Sequence, residues 1–242
     1  METQPDRSRH SFAGGNVRMA LRADNISKQY FRKTGEANFF SAVSHVSLTL
    51  DPGTLTVLTG RSGSGKTTLL HMLSGLLPPS EGKVLLDGAD LYAMSDADLS
   101  RLRNTGLSVI PQARSALETL TVLENVLLPG ALYRRKDQRA EALHWLEKLG
   151  IGHLQDARPA ALSGGELRRM AIARALTQDG EILLADEPTG DLDDENTALV
   201  LSTLRAAADA GKAVLLVTHE QDAKDYADCV YRMNEGEMQA CI

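Results

Sequence analysis

The chain has 242 residues, 43% hydrophobic and 24% charged, the proportions of an ordinary folded protein with a sizeable core. Its formal net charge of −6 argues against a broad nucleic-acid-binding surface, and no nucleic acid is expected among its partners. Cys229 and Cys241 form neither a disulfide framework nor a metal spacing, no apolar run approaches the ~20 residues of a membrane span, and Met1 to Gly15 lacks the apolar core of a signal peptide. A cytosolic chain is expected, docked on a membrane only through a partner.

Met1 to Asn16 reads as a disordered tail, and the folded domain is expected over residues 17–242. Alternation begins at Met19 and runs to Tyr30 and Phe31. A second strand pattern, Ala42 to Leu50, stops at the turn Asp51-Pro52-Gly53. The short β-branched run Leu55 to Thr59 then feeds Gly60-Arg61-Ser62-Gly63-Ser64-Gly65-Lys66-Thr67, after which Thr68 to Leu73 reads as a helix. Strand, glycine-rich turn, Lys-Thr and helix are what a phosphate cradle requires: glycines let successive N–H groups face one anion, and the helix start adds its dipole. Lys66 would reach the β- and γ-phosphates and the Thr67 hydroxyl would ligate Mg²⁺. Gly82 to Gly88 reads as another short strand closed by a turn.

Leu107 to Ile110 is a buried strand ended by Pro111, which leaves Gln112 at the sheet's edge. From Ala113 to about Pro159 the pattern is helical. Thr121 to Glu124 has capping-box spacing, and Ala142, Leu143, Leu146 and Leu149 form a helical stripe that omits His144 and Trp145. The Arg134-Arg135-Lys136 run reads as a solvated face. This block, about 113–160, interrupts a β-strand pattern and reads as an inserted helical subdomain. Ser163-Gly164-Gly165-Glu166 then admits two readings, a capped helix or an anion-binding helix start. Ile182 to Glu187 is a buried strand ending in two carboxylates, a costly pairing unless a cation or a proton-transfer role compensates. Asp193 opens another acidic helix start, and Ala213 to Thr218 is a strand with His219 just past its end, where ligands of parallel sheets gather.

In this order the elements, from about Met19 to Gln239, resemble the nucleotide-binding subunit of an ATP-binding-cassette (ABC) transporter. The most specific pieces are LSGGE at Leu162 to Glu166 and ILLADE at Ile182 to Glu187. The resemblance implies an α/β fold: a phosphate-loop NTPase core with a mainly parallel central sheet, an N-terminal antiparallel β layer and an inserted α-helical subdomain. It implies ATP hydrolysis with ATP and Mg²⁺. Gly60 to Thr67 would wrap the phosphates and Thr68 add a contact. Tyr30, or its neighbour Phe31, would stack on adenine. Gln112 would sense Mg²⁺ and the membrane partner, Asp186 hold magnesium, Glu187 act as base and His219 as γ-phosphate switch. Ser163 and Gly165, in one turn with Gly164 and Glu166, would bind the γ-phosphate held by a second subunit, with Asp193 an inter-subunit aspartate.

Asp186 to Asp193, DEPTGDLD, resembles the DEPTGNLD of a bacterial branch covering lipoprotein release, macrolide export, antimicrobial-peptide resistance and cell division. The expected partners are an integral-membrane permease and a second cassette, on the cytoplasmic face of the membrane. Two functions are open on this resemblance: powering a permease that exports or extracts lipids, peptides or drugs, or driving a mechanical or signalling partner that moves nothing. Asp191 replaces the usual Asn, Leu167-Arg168-Arg169 departs from the commoner polar run, and Ala113 to Glu118 lacks the aromatic and proline often found after the glutamine.

Overall fold

The computed structural model describes residues 19–31, 39–112, 115–133 and 137–241. The expectations for the N-terminal tail, for residues 134–136 and for residues 113–114 fall outside these. Two sheets organise the described residues. The central sheet takes β3 (Leu55–Gly60), β6 (Leu107–Ile110), β7 (Ile182–Asp186), β8 (Ala213–Val217), β9 (Cys229–Asn234) and β10 (Glu237–Ala240) in the order β10-β9-β3-β8-β7-β6. Every pairing in it is parallel except the edge hairpin β9–β10. The antiparallel layer orders β2 (Phe39–Leu50), β1 (Leu21–Phe31), β4 (Glu81–Leu86) and β5 (Ala89–Asp90).

Burial explains the difference in pattern. β7 and β8 are buried at every position, as strands covered on both faces must be, and so read as unbroken apolar runs. Successive residues nonetheless serve opposite cores. Leu183, Ala185, Val214 and Leu216 face a cluster built with α3 (Val122–Leu132), α4 (Arg139–Lys148), α5 (Gly164–Gln178) and α6 (Asp194–Asp209). Ile182, Leu184, Ala213 and Leu215 face the cluster shared with the antiparallel layer, α1 (Lys66–Leu73) and α2 (Asp96–Thr105).

Local chemistry sets the helix starts. Thr121 and Glu124 form a reciprocal capping box on α3, Ser163 and Glu166 another on α5, and Asp193 caps α6 through the Asn196 N–H. Ala142, Leu146 and Leu149 are fully buried, Leu143 partly so; Trp145 packs at the rim of the same core with the Lys148 ammonium 4.9 Å above its ring. The second strand is longer than its sequence pattern. It reaches back to Phe39, where cross-strand aromatic pairs extend the ladder: Tyr30 stacks on Phe40 and Phe31 meets Phe39 edge-on.

Candidate functional site: a nucleotide cleft and a separate signature hollow

The glycine-rich loop leaves β3 at Gly60 and enters α1 at Gly65. Gly65 has φ 104°, and a Cβ there would stand 2.0 Å from the Ala42 carbonyl oxygen; at Gly60 one would stand 2.4 Å from the Met233 carbonyl oxygen. Neighbouring strands therefore press on the loop from outside and force its N–H groups to curl inward. The Gly236 N–H donates to the Ser64 carbonyl and the Ser64 N–H to the Arg61 carbonyl, fixing the curl. Lys66 is buried and donates to the Gly60 and Arg61 carbonyls at 2.8 and 3.0 Å, so its ammonium lies folded over the loop's mouth.

The carboxylate pair divides into two environments. Asp186 ends β7, 2% exposed, and its Oδ1 has no protein partner. Burial pushes its carboxyl up, while a hydrogen bond with the Thr67 side chain acts the other way. Glu187 has left-handed backbone, φ 48°, and its N–H donates to the Val217 carbonyl at 2.8 Å. Glu187 Oε2 lies 2.8 Å from His219 Nδ1. A buried orphan carboxylate oxygen beside a threonine hydroxyl is a donor set suited to a hard divalent cation.

Lys66, Thr67, Glu187 and His219 line one cleft of about 1090 Å³ together with Tyr30, Phe40, Arg61, Ser62, Gly63, Thr68, Gln112, Arg168 and Asp191; Asp186 is not part of that lining and is joined to it through the Thr67 side chain. Phe31 does not line it: next to Tyr30 on β1, it points to the other face of the strand. Phe40 was not singled out from sequence. Its only sequence signal is the doublet Phe39-Phe40 ahead of a strand, and its position becomes legible once β1 and β2 are in register.

Ser163, Gly164, Gly165 and Asp193 are elsewhere. They line a separate hollow of about 500 Å³ with Arg169, Asp191, Leu192 and Asn196, and only Asp191 borders both spaces. Of the two sequence readings of this turn, the capped helix is the one its hydrogen bonds display. The Ser163 hydroxyl accepts from the Glu166 N–H and donates to Glu166 Oε2, which also receives the Ser163 N–H at 2.7 Å. The backbone donor first, then the hydroxyl, hold the Glu166 carboxyl below its ordinary range. Asp193 is likewise held low by the backbone and side-chain donors of Asn196. Arg169 Nη1 donates to Asn196 Oδ1 at 2.6 Å, tying the two helix starts together.

A phosphate-binding loop, a buried carboxylate and an acid–imidazole pair at the C-terminal edge of a parallel sheet define a phosphate-loop ATPase. The ABC transporter family model matches residues 43–190, and the chain belongs to that family; it is an ATP-binding, ATP-hydrolysing cassette. It is 40% identical over 222 residues to a lipoprotein-releasing system ATP-binding protein LolD of Shewanella frigidimarina, covering 90% of this chain and 92% of that one. It is 39% identical over 214 residues to the macrolide export ATP-binding/permease protein MacB of Chlorobaculum tepidum, covering 88% of this chain but spanning only 32% of that relative. The dimeric structure of the bacterial ABC transporter cassette MJ0796 superposes with a TM-score of 0.84 at 30% identity, covering 92% of this chain and 99% of that one. A post-hydrolysis dimer of the same cassette, bound to ADP and Pi, gives 0.83 at 29% identity over 92% and 99% of the two chains.

Proposed function

We propose that two copies of this cassette close head to tail around ATP and, on hydrolysis, drive an integral-membrane permease that exports or extracts lipids, peptides or drugs. The observation that carries this reading is the separation of the two spaces. Ser163 and Gly165 line a hollow separate from the Lys66 cleft of their own chain, which supports a γ-phosphate shared between the cleft of one subunit and the Ser163 turn of another. The dimeric structure of the MJ0796 cassette supports the pairing of two such chains. Relatives named for lipoprotein release, macrolide export and syringafactin export favour cargo transport over a partner that moves nothing. Among the described residues no helix is long and apolar enough to cross a membrane; in this reading the cassette attaches through the permease, at the cytoplasmic face. The ABC ATPase domain comprises residues 17–242, with the helical subdomain of about 113–160 turned toward that partner.

In this mechanism the N–H groups of Gly60 to Thr67 wrap the phosphates and Thr68 adds a contact. Lys66 exchanges its two loop carbonyls for β- and γ-phosphate oxygens, and Tyr30 with Phe40 packs on the adenine. Thr67, Asp186 and Gln112 would hold Mg²⁺, which when bound draws negative charge off the phosphate oxygens. Glu187 accepts a proton from the attacking water as its oxygen bonds the γ-phosphorus. The β–γ bridging bond breaks and ADP leaves with the electron pair. His219 fixes the Glu187 carboxylate through Nδ1 and faces the γ-phosphate. Across the interface, Ser163 turns its hydroxyl proton from Glu166 to a γ-phosphate oxygen. The Gly164 and Gly165 backbone closes over that phosphate, Glu166 orients the serine, and Asp193 meets the partner's loop. Losing the γ-phosphate opens the dimer, and that motion is passed to the permease.

The test is affinity purification of the tagged chain from detergent-solubilised membranes, with identification of what accompanies it by mass spectrometry. A stoichiometric multi-spanning permease is expected; recovery of the cassette with no membrane protein would contradict the transport reading.

A further inference from the structure

The geometry points to Arg168 as a positioning residue that couples the two ATP sites of a dimer, by fastening the helix that serves one site to the strand end that serves the other. Arg168 belongs to the Leu167-Arg168-Arg169 run that departs from the commoner polar residues after LSGGE. It lies in the second turn of α5, the helix whose first turn carries Ser163 and Gly165. Its side chain nonetheless points into the chain's own nucleotide cleft. There Nη1 donates to the Pro111 carbonyl at 2.9 Å, one residue before Gln112. Nη2 reaches the turn after Glu187, where a Cβ on Gly190 would lie 3.8 Å away.

Arg168 does not act alone on this segment. From the same helix, Arg174 donates to the Ser115 carbonyl at 2.8 Å and contacts the Ser115 hydroxyl, holding the far end of the stretch that begins at Pro111. Arg169 runs the other way, through Asn196 to Asp193. Three guanidinium groups therefore join α5 to the Gln112 segment on one side and to the Asp193 turn on the other. A guanidinium suits this task because its planar fork of donors can bond several carbonyls at once. Withdrawal of Gln112 after hydrolysis would pull on the Arg168–Pro111 bond and displace the helix start holding the partner's ATP. Such a chain of bonded groups between two switching elements is a physical route for coupling.

This inference rests on the shared-ATP reading, and the experiment separates the two. Full-length wild-type, Arg168→Ala and Arg168→Lys proteins are compared in steady-state ATP hydrolysis across ATP concentration, with fluorescent ATP-analogue binding measured on the monomer. Arg168→Ala should keep monomer affinity within about three-fold while kcat falls about ten-fold and the Hill coefficient drops toward 1. Arg168→Lys, which keeps one donor for the Pro111 carbonyl, should recover part of both. Unchanged kcat and Hill coefficient would overturn the inference, as would a ten-fold loss of monomer affinity, which would make Arg168 a direct phosphate ligand. Glu187→Gln is run in parallel. If that variant dimerises on ATP while Arg168→Ala behaves as wild type, only the coupling role fails; if it never dimerises, the shared-ATP reading and the coupling role fall together.

Discussion

Glu187 Oε2 and His219 Nδ1 stand 2.8 Å apart at the rim of the central sheet, joining the ends of the adjacent strands β7 and β8. The bond sets the direction of the carboxylate, which leaves β7 through a left-handed backbone turn at Glu187. Glu187→Gln keeps the shape and the contact with the imidazole but cannot accept a proton. It should bind ATP normally and hydrolyse it at least about 100-fold more slowly, the lower range of general-base assistance. His219→Ala, which frees the Glu187 side chain to rotate, should also lower kcat. Single-turnover phosphate release measures both, and near-wild-type rates in Glu187→Gln would remove it as the base.

Asp186 illustrates a cost carried for function. Burial, with Glu187 nearby, raises its carboxyl pKa above the unfolded value. A raised folded-state pKa gives stability that is present at low pH and lost as pH rises through that value. Above that raised pKa the nucleotide-free fold therefore bears an ionised, half-partnered carboxylate. Asp186→Asn should melt higher than wild type at pH 8 in EDTA, with the gap closing toward pH 4, while losing magnesium-dependent hydrolysis. Thermal melts across pH check the sign, and a lower Tm for Asp186→Asn at pH 8 would contradict it.

Much of this was legible in the sequence because the central strands are buried on both faces. Leu107 to Ile110, Ile182 to Asp186 and Ala213 to Val217 stand out as apolar runs, and the glycine-rich loop stands out by its composition, with Gly60 and Gly65 at places where a Cβ would strike a neighbouring carbonyl. The reciprocal boxes at Thr121 and Ser163 are local in sequence and so readable from spacing alone. What was not legible is what depends on distant partners. Phe40 becomes a cleft residue only through its register with Tyr30. Arg168 becomes a tether only through a carbonyl 57 positions away. The backbone turn at Glu187 carries no glycine or asparagine to announce it.

The aromatic pair predicts a graded effect on base binding. Stacking of a base on an aromatic ring is worth about 1–3 kcal/mol by alanine substitution, or roughly 5- to 150-fold in affinity. Tyr30→Ala should fall in that range. Phe40→Ala removes the ring that supports Tyr30 at 5.6 Å and should cost about 2- to 10-fold, the worth of one aromatic pair. Phe31→Ala should leave ATP affinity unchanged, since its ring pairs with Phe39 away from the cleft. Calorimetric titration with ATP orders the three; a larger loss in Phe31→Ala than in Tyr30→Ala would reverse the assignment.

Lys66 offers charge-assisted hydrogen bonds that neither the loop backbone nor Arg61 can replace. Lys66→Ala should weaken ATP binding by about 10- to 100-fold, the worth of a hydrogen bond to a charged group. Equilibrium binding of ATP reads this, and an unchanged dissociation constant would contradict the phosphate role.

The central claim is that ATP holds two chains together by lying between the Lys66 cleft of one and the Ser163 turn of the other. Its most direct test is the molar mass of Glu187→Gln in solution, by size-exclusion chromatography with light scattering, with and without ATP, beside the double variant Glu187→Gln/Ser163→Ala. The account predicts twice the mass of one chain for Glu187→Gln only with ATP. It predicts a largely monomeric double variant that still binds ATP. A double variant that dimerises as fully as Glu187→Gln, or that no longer binds ATP as a monomer, would contradict it.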